Sequence, residues 1–390
     1  MNKSKRKLNP GTVVLFVFLL TPFFSIAGIK NTMSTGIYQA WQIMSIFFLV
    51  LMVLLKLKQI KLSWGIGLFC AYQMVILVSS VYNNGISPGI IAVIVASILV
   101  FILIQTSFYY EIASAVSIVV ILSMLINFPI MIQNRGNVNA EFFIGGKNAL
   151  GIFLIPGIFF LIINSLEENN QVSKVTIFAI LLGLLTIFIG SSGTGIVVAF
   201  CAMLFLLLSI WFKPQKTICL VVVITIYALF LLFSEKFFLT DYWLRFTELL
   251  GKDSTLTART TIWGIAKGLI SSNWLFGAGR GVELSYINTW GERQTIYEAH
   301  NFILEILMEG GVVALLLFGL LFFKAVRRLN MEKPKHKVVF IALCVLLING
   351  LTESTVNVFL VMMLLSIACR YANEQESRYI GEKWIVDSKN

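Results

Sequence analysis

The side chains best suited to chemistry crowd between Thr257 and Gly311. The stretch reads T-A-R-T-T-I-W-G-I-A-K from Thr257, N-W-L-F-G-A-G-R-G from Asn273, and E-A-H-N-F-I-L-E-I-L-M-E-G-G from Glu298. A guanidinium grips phosphate oxygens through two parallel hydrogen bonds. An imidazole titrates near neutrality, so it can take a proton from a hydroxyl or give one to a phosphate. Together these types suit a site that holds a phosphorylated ligand and moves a proton.

Arg259, Trp263 and Ala266 fall at i, i+4 and i+7, on one face of a helix that Thr257 can cap. Ile262, Ile265, Leu269 and Ile270 line a neighbouring apolar face. The spacing fits an amphipathic helix on the outer leaflet, offering a guanidinium and an indole that can stack on a sugar. It also fits an interfacial helix whose Trp and Arg merely sit at headgroup level. Gly277, Gly279 and Gly281 surround Arg280; glycines so close let backbone amides approach an oxyanion, although a plain tight turn has the same spacing. His300 is one of two histidines, the other being His336 in a basic loop. The nearest carboxylates to His300 are Glu298 and Glu305. Asn301, Glu305 and Glu309 follow one another at i+4 steps on one face. Leaving these carboxylates in lipid costs about 2.5–3.5 kcal/mol each. Residues 300–309 are therefore expected above the bilayer or facing a polar cleft, with the span proper starting near Gly310 and Gly311.

The elements that must position these residues are membrane helices. The chain has 390 residues, of which 58% are hydrophobic and 13% charged, a composition foreign to a soluble fold. Twelve apolar runs stand out, at about 12–28, 37–55, 64–81, 88–105, 112–132, 148–165, 175–190, 195–212, 217–234, 311–326, 338–351 and 355–370. The expected fold is an all-α polytopic membrane protein with one long helical outer loop. It divides into spans one to nine (1–234), an extracytoplasmic loop (235–310), spans ten to twelve (311–370) and a cytoplasmic tail (371–390). With both termini cytoplasmic, 20 of the 30 Lys and Arg lie inside, while the short outer loops hold only Lys30, Arg135 and Lys147. The net charge of +11 is thus mainly an orientation signal and does not point to nucleic acid. The loop 235–300 balances seven basic residues with seven acidic ones, so its arginines can bind only by position.

Five cysteines, all inside the apolar runs and without metal spacing, read as small packing residues. The first span reads as a retained signal-anchor. Spans one to nine contain no Asp, Glu, Lys, Arg or His, which argues against an ion-coupled carrier.

The R-x-x-x-W-x-x-A helix at Arg259, Trp263 and Ala266, the F-G-A-G-R-G turn at 276–281, the A-H-N-F-I-L-E sequence at 299–305 and the following G-G resemble the O-antigen polymerase and O-antigen ligase superfamily of bacterial membrane glycosyltransferases. The likeness covers about 257–325, with a weaker one at Gly145 to Gly151 that includes Lys147 and Asn148. It implies transfer of glycan from an undecaprenyl-diphosphate-linked oligosaccharide at the outer face of the bacterial cytoplasmic membrane, without nucleotide sugar, metal or other cofactor. The outer loop lacks a D-x-D pair, in agreement. Implied roles are catalytic for His300, Arg259 and Glu305, and substrate-binding for Arg280, Trp263, Gly277, Gly279, Gly281, Asn301, Glu298, Lys147 and Asn148. Many members carry a serine–arginine pair where Ser191-Ser192-Gly193 stands here. Lys147, Arg135 or Arg280 must then supply the second charge, or the polymerase subgroup does without it. The expected activity is inverting polymerisation of repeat units into O-antigen, capsule or exopolysaccharide. Expected partners are membrane lipid, a chain-length regulator and a repeat-unit flippase. A ligase passing finished glycan to an acceptor is the alternative, and a glycolipid flippase a more distant one.

Overall fold

Runs of apolar residues without charges make helix the only economical backbone in hydrocarbon, because every amide must find its partner within the segment. The computed structural model describes residues 8–60, 63–84, 87–134, 141–190, 192–237, 245, 259–287, 292–355 and 358–387. The amino-terminal basic cluster, the proposed cap Thr257, Ser191, Arg135 and most of 238–258 lie outside the described residues.

The helices are α1 (Pro10–Leu20), α2 (Ala27–Thr32), α3 (Thr35–Leu55), α4 (Trp64–Asn84), α5 (Pro88–Ile104), α6 (Tyr109–Gln133), α7 (Lys147–Asn169), α8 (Lys174–Ile189), α9 (Gly193–Trp211) and α10 (Lys216–Phe237). After them come α11 (Arg259–Ser272), α12 (Phe302–Arg327), α13 (Pro334–Asn349) and α14 (Phe359–Asp387). Serines start several of them: Ser87, Ser173 and Ser192 each accept an amide of the first turn. An all-α membrane protein is the result: eleven of the twelve apolar runs fall mainly on one helix each, while the first, 12–28, is divided between α1, a short turn at Thr21–Phe23 and the start of α2. Six helices are long and apolar enough to cross a membrane, and four apolar helices are shorter. The count of twelve spans is not reached by length and composition among the described residues.

Two boundaries differ from expectation. The helix that carries the tenth span begins before Gly310 and Gly311: one long element, Phe302–Arg327, runs through that pair with a break at Gly311. The outer loop is also not wholly helical. Between α11 and α12 an antiparallel hairpin pairs β1 (Leu284–Ile287) with β2 (Arg293–Ile296), Leu284 opposite Ile296 and Ile287 opposite Arg293. The expected tail from residue 371 continues α14 as far as Asp387.

Most of α7 and α13 is buried, and both lie at the centre of the main core. The long helix α12 packs along α4, and Tyr72 of α4 meets Phe318 with ring centroids 5.6 Å apart. A second, smaller core joins Ile262, Trp263 and Ala266 of α11 to Ala278, Leu284, Ala299 and Met308. That small core fixes the loop elements on the first half of α12.

Candidate active site

The first half of α12 is the platform. Asn301 caps it, its Oδ1 accepting the amides of Ile303 and Leu304 at 3.1 Å each, while its Nδ2 donates to the Leu351 carbonyl at 3.0 Å. The Phe302 amide donates to the Gly350 carbonyl at 2.7 Å, tying the helix start to the end of α13. Asn301 is fully buried and its amide group is engaged, so it holds the platform and is not placed to bind substrate.

The glycines prove to be a packing device. At Gly311 the helix breaks, with φ 64° and ψ −165°. A break frees backbone groups, which cannot be left bare at membrane depth. Residues 274–279 fill the gap: Ala278 and Gly279 donate to the carbonyls of Met308 and Glu309, and Val312 and Val313 donate to those of Trp274 and Leu275. A Cβ on Gly311 would stand 2.3 Å from the Leu275 carbonyl carbon, and one on Gly279 (φ 91°) 2.5 Å from Ser80 Cα. Gly277 packs as closely on the Gly310 backbone, while Gly281 meets the end of the Ile90 side chain at 2.8 Å. The Gly277 amide donates to the Asn273 carbonyl, and the Arg280 amide to Ser80 Oγ at 2.7 Å. The amides from 277 to 280 are thus already donated within the protein. Gly277 and Gly279 therefore do not offer their amides to the expected oxyanion cradle.

What this packing achieves is the placement of charge. Arg280 forks onto Glu309, with Nε to Oε1 at 2.9 Å and Nη2 to Oε2 at 3.0 Å. A second row lies beside it. Arg259 Nη2 meets Glu353 Oε1 at 2.5 Å, and the other oxygen of Glu353 lies 3.7 Å from His300 Nδ1. The Arg259 and Glu353 side chains are 6% and 2% exposed, whereas His300 is 28% exposed. Of the three, His300 is the most exposed. Its backbone sits at φ 49°, left-handed for a non-glycine, a conformation that costs about 1–3 kcal/mol and persists only where the surroundings impose it.

Those surroundings are visible. Glu305 Oε2 accepts the Ala299 amide at 2.6 Å and the Ser354 hydroxyl at 3.0 Å. Glu305 therefore clamps the turns on either side of the His300–Glu353 contact, and being fully buried it does not face a ligand. Glu298 keeps a solvent-exposed side chain, yet protein packed around it holds its carboxyl above the usual range. Desolvation is the main cause; His300 lowers it, Glu353 and Glu309 raise it, and Arg280 lowers it.

Other expected residues lie differently. Arg259, Ile262, Trp263 and Ala266 form the buried stripe of α11, and the Trp263 indole packs edge-on against Phe230 at 5.5 Å. At 3% exposure it is core and offers no open face to a sugar, and α11 turns this face to α12. Lys147 and Asn148 open α7, and among the described residues no hydrogen bond or ion pair joins them to the arginine–histidine cluster. Glu353 was not anticipated. Its signal was a lone acid in the short gap between the runs 338–351 and 355–370.

The arrangement can deprotonate a hydroxyl at His300 and hold negative charge at two arginines. Among the described residues, no group of three or more His, Cys, Asp or Glu side chains could hold a metal ion. Residues 178–319 match the family model described as O-antigen ligase. That stretch contains Arg259, Arg280, His300, Glu305 and Glu309, but neither Glu353 nor Lys147. No curated protein matches the chain. Through its segment 178–319, the chain is similar to the O-antigen ligase and polymerase superfamily, whose members are glycosyltransferase-like enzymes acting on lipid-linked glycans.

Proposed function

We propose that the protein polymerises undecaprenyl-diphosphate-linked repeat units into a surface polysaccharide, as an inverting, metal-independent glycosyltransferase. The observation that carries the mechanism is the row Arg259–Glu353–His300, in which one buried carboxylate touches a guanidinium and faces an imidazole. A carboxylate at Nδ1 favours the tautomer protonated there and leaves the Nε2 lone pair free to act as base. In the proposed step His300 takes the proton of the acceptor hydroxyl as that oxygen attacks the anomeric carbon. The bond from that carbon to the phosphate oxygen breaks opposite the attack, so no covalent glycosyl-enzyme forms. The departing diphosphate takes up the forks of Arg259 and Arg280, sharing them with Glu353 and Glu309. Glu298, whose carboxyl is held above its usual range, offers a proton to the leaving oxygens.

The reaction is placed at the outer face of the bacterial cytoplasmic membrane, with twelve spans and both termini inside. The distribution of Lys and Arg supports this orientation. Lys147 and Asn148 are proposed to bind a more distant part of the lipid-linked glycan. A repeat-unit flippase and a chain-length regulator are the proposed partners.

Purified protein given lipid-linked single repeats as its only glycan substrate tests the polymerase reading. A ladder of lengthening products is expected. Consumption of preformed polymer only when a separate lipid or wall acceptor is added would instead establish the ligase.

A further inference from the structure

Away from this site, α9, α10 and α13 enclose an apolar groove of about 440 Å³. The volume falls within the roughly 300–1,000 Å³ typical of ligand sites. Phe205, Phe212, Ile218, Val222, Phe340 and Cys344 are among its walls. Its hydroxyl group, on Ser209, is turned back to the Leu206 carbonyl at 2.7 Å, so the walls suit a hydrocarbon chain. Phe212 and Ile218 are 67% and 57% exposed, which opens one side of the groove toward the bilayer.

One end of the groove is basic. The chain passes from α9 to α10 through Phe212 and Pro214, with Lys213 between them and Lys216 just beyond. Lys337, in the first turn of α13, donates to the carbonyl of Ser209, itself a lining residue, at 2.7 Å. Lys216 donates to the carbonyls of Arg327 and Leu329 at 2.5 and 2.8 Å, and among the described residues no carboxylate pairs with it. Lys213 meets Glu332 at 2.7 Å, with both side chains mostly exposed. An apolar slot with ammonium groups at its mouth is complementary to a molecule with a hydrocarbon tail and an anionic head.

From this pairing we infer that the groove is a binding site for an anionic glycerophospholipid, one acyl chain in the slot and its phosphate among Lys213, Lys216 and Lys337. The inference is independent of the glycosyltransferase reading. Basic pockets between membrane helices hold such headgroups, and each nearby cation favours them roughly fivefold over a neutral surface.

Native mass spectrometry tests this on the whole protein, exchanged into mixed micelles of phosphatidylglycerol and phosphatidylethanolamine of matched chains. One retained phosphatidylglycerol, favoured at least about fivefold, is expected. The combined variant Lys213→Gln, Lys216→Gln, Lys337→Gln should bring the ratio to about one, and Val222→Trp, which fills the slot, should lower retention of both lipids. Glu332→Gln, which releases Lys213, should raise the preference, a gain that a poorly folded protein cannot imitate. Equal retention of the two lipids by the wild type, or an unchanged preference in the combined and Glu332 variants, would overturn the assignment. So would displacement of the phospholipid by added polyprenyl phosphate at equal concentration, because the groove would then belong to the carrier lipid.

Discussion

Glu353 and Arg259 meet at 2.5 Å although 94 residues separate them in the chain. One comes from the short turn after α13 and the other opens α11, so the contact exists only when both elements are docked on α12. The second oxygen of Glu353 faces His300. A single carboxylate thereby links the group assigned to the leaving diphosphate with the group assigned to the acceptor.

Glu353→Gln keeps the volume and removes the charge. Turnover is expected to fall roughly 10–10²-fold with little change in KM, short of the 10²–10⁴-fold that a general base itself contributes. The pH–rate profile should change shape in the same variant, because the imidazole has lost its partner. Wild-type turnover with an unaltered profile would show that Glu353 serves the fold alone.

Arg259→Ala should lower turnover by roughly 10²–10³-fold, the effect of losing one donor to a developing oxyanion. Arg259→Lys should restore only part of it, since a point charge cannot reproduce the fork. The alanine variant also strands a buried carboxylate, at about 3–5 kcal/mol. The pair Arg259→Met with Glu353→Leu separates these effects: a recovered melting temperature without recovered activity is expected. Recovery of both would place the diphosphate elsewhere.

Gly311→Ala should lower the melting temperature of the detergent-solubilised protein sharply, because the new Cβ would meet the Leu275 backbone at 2.3 Å. Gly319→Ala, on the same helix with nothing within 4 Å of the added carbon, should be nearly neutral. Similar behaviour of the two variants would mean that the strap through 274–279 does not hold the break in α12.

How much of this was legible follows from the range of each interaction. Arg259, Arg280 and His300 stood out because their types and short spacings are local properties of the chain. The helical apolar runs were legible for the same reason. The role of the glycines was not: spacing reveals that amides can approach something, but only the folded chain shows that Met308, Glu309 and Ser80 receive them. A sign was present in the second glycine pair, Gly310-Gly311, which needed a partner segment of equal thinness. Trp263 was misplaced because periodicity gives a helix two candidate faces and does not say which is buried. Glu353 stayed hidden because its partners lie 94 and 53 residues away. Asn301 and Glu305, correctly drawn to one face, serve the turn that strains His300.

A reporter fused at Glu292, just before the hairpin strand β2, should read as external, and one after Glu332 as cytoplasmic. The reverse pattern would invert the orientation on which the outer-face reaction depends.

The most direct test concerns His300. Wild-type protein and His300→Ala, each purified and confirmed as folded, are given lipid-linked single repeats, and products are resolved by chain length. The account predicts a ladder for the wild type and unextended, still-bound single repeats for the variant, with turnover down by roughly 10²–10⁴-fold. Full-length polymer from His300→Ala at the wild-type rate would contradict it.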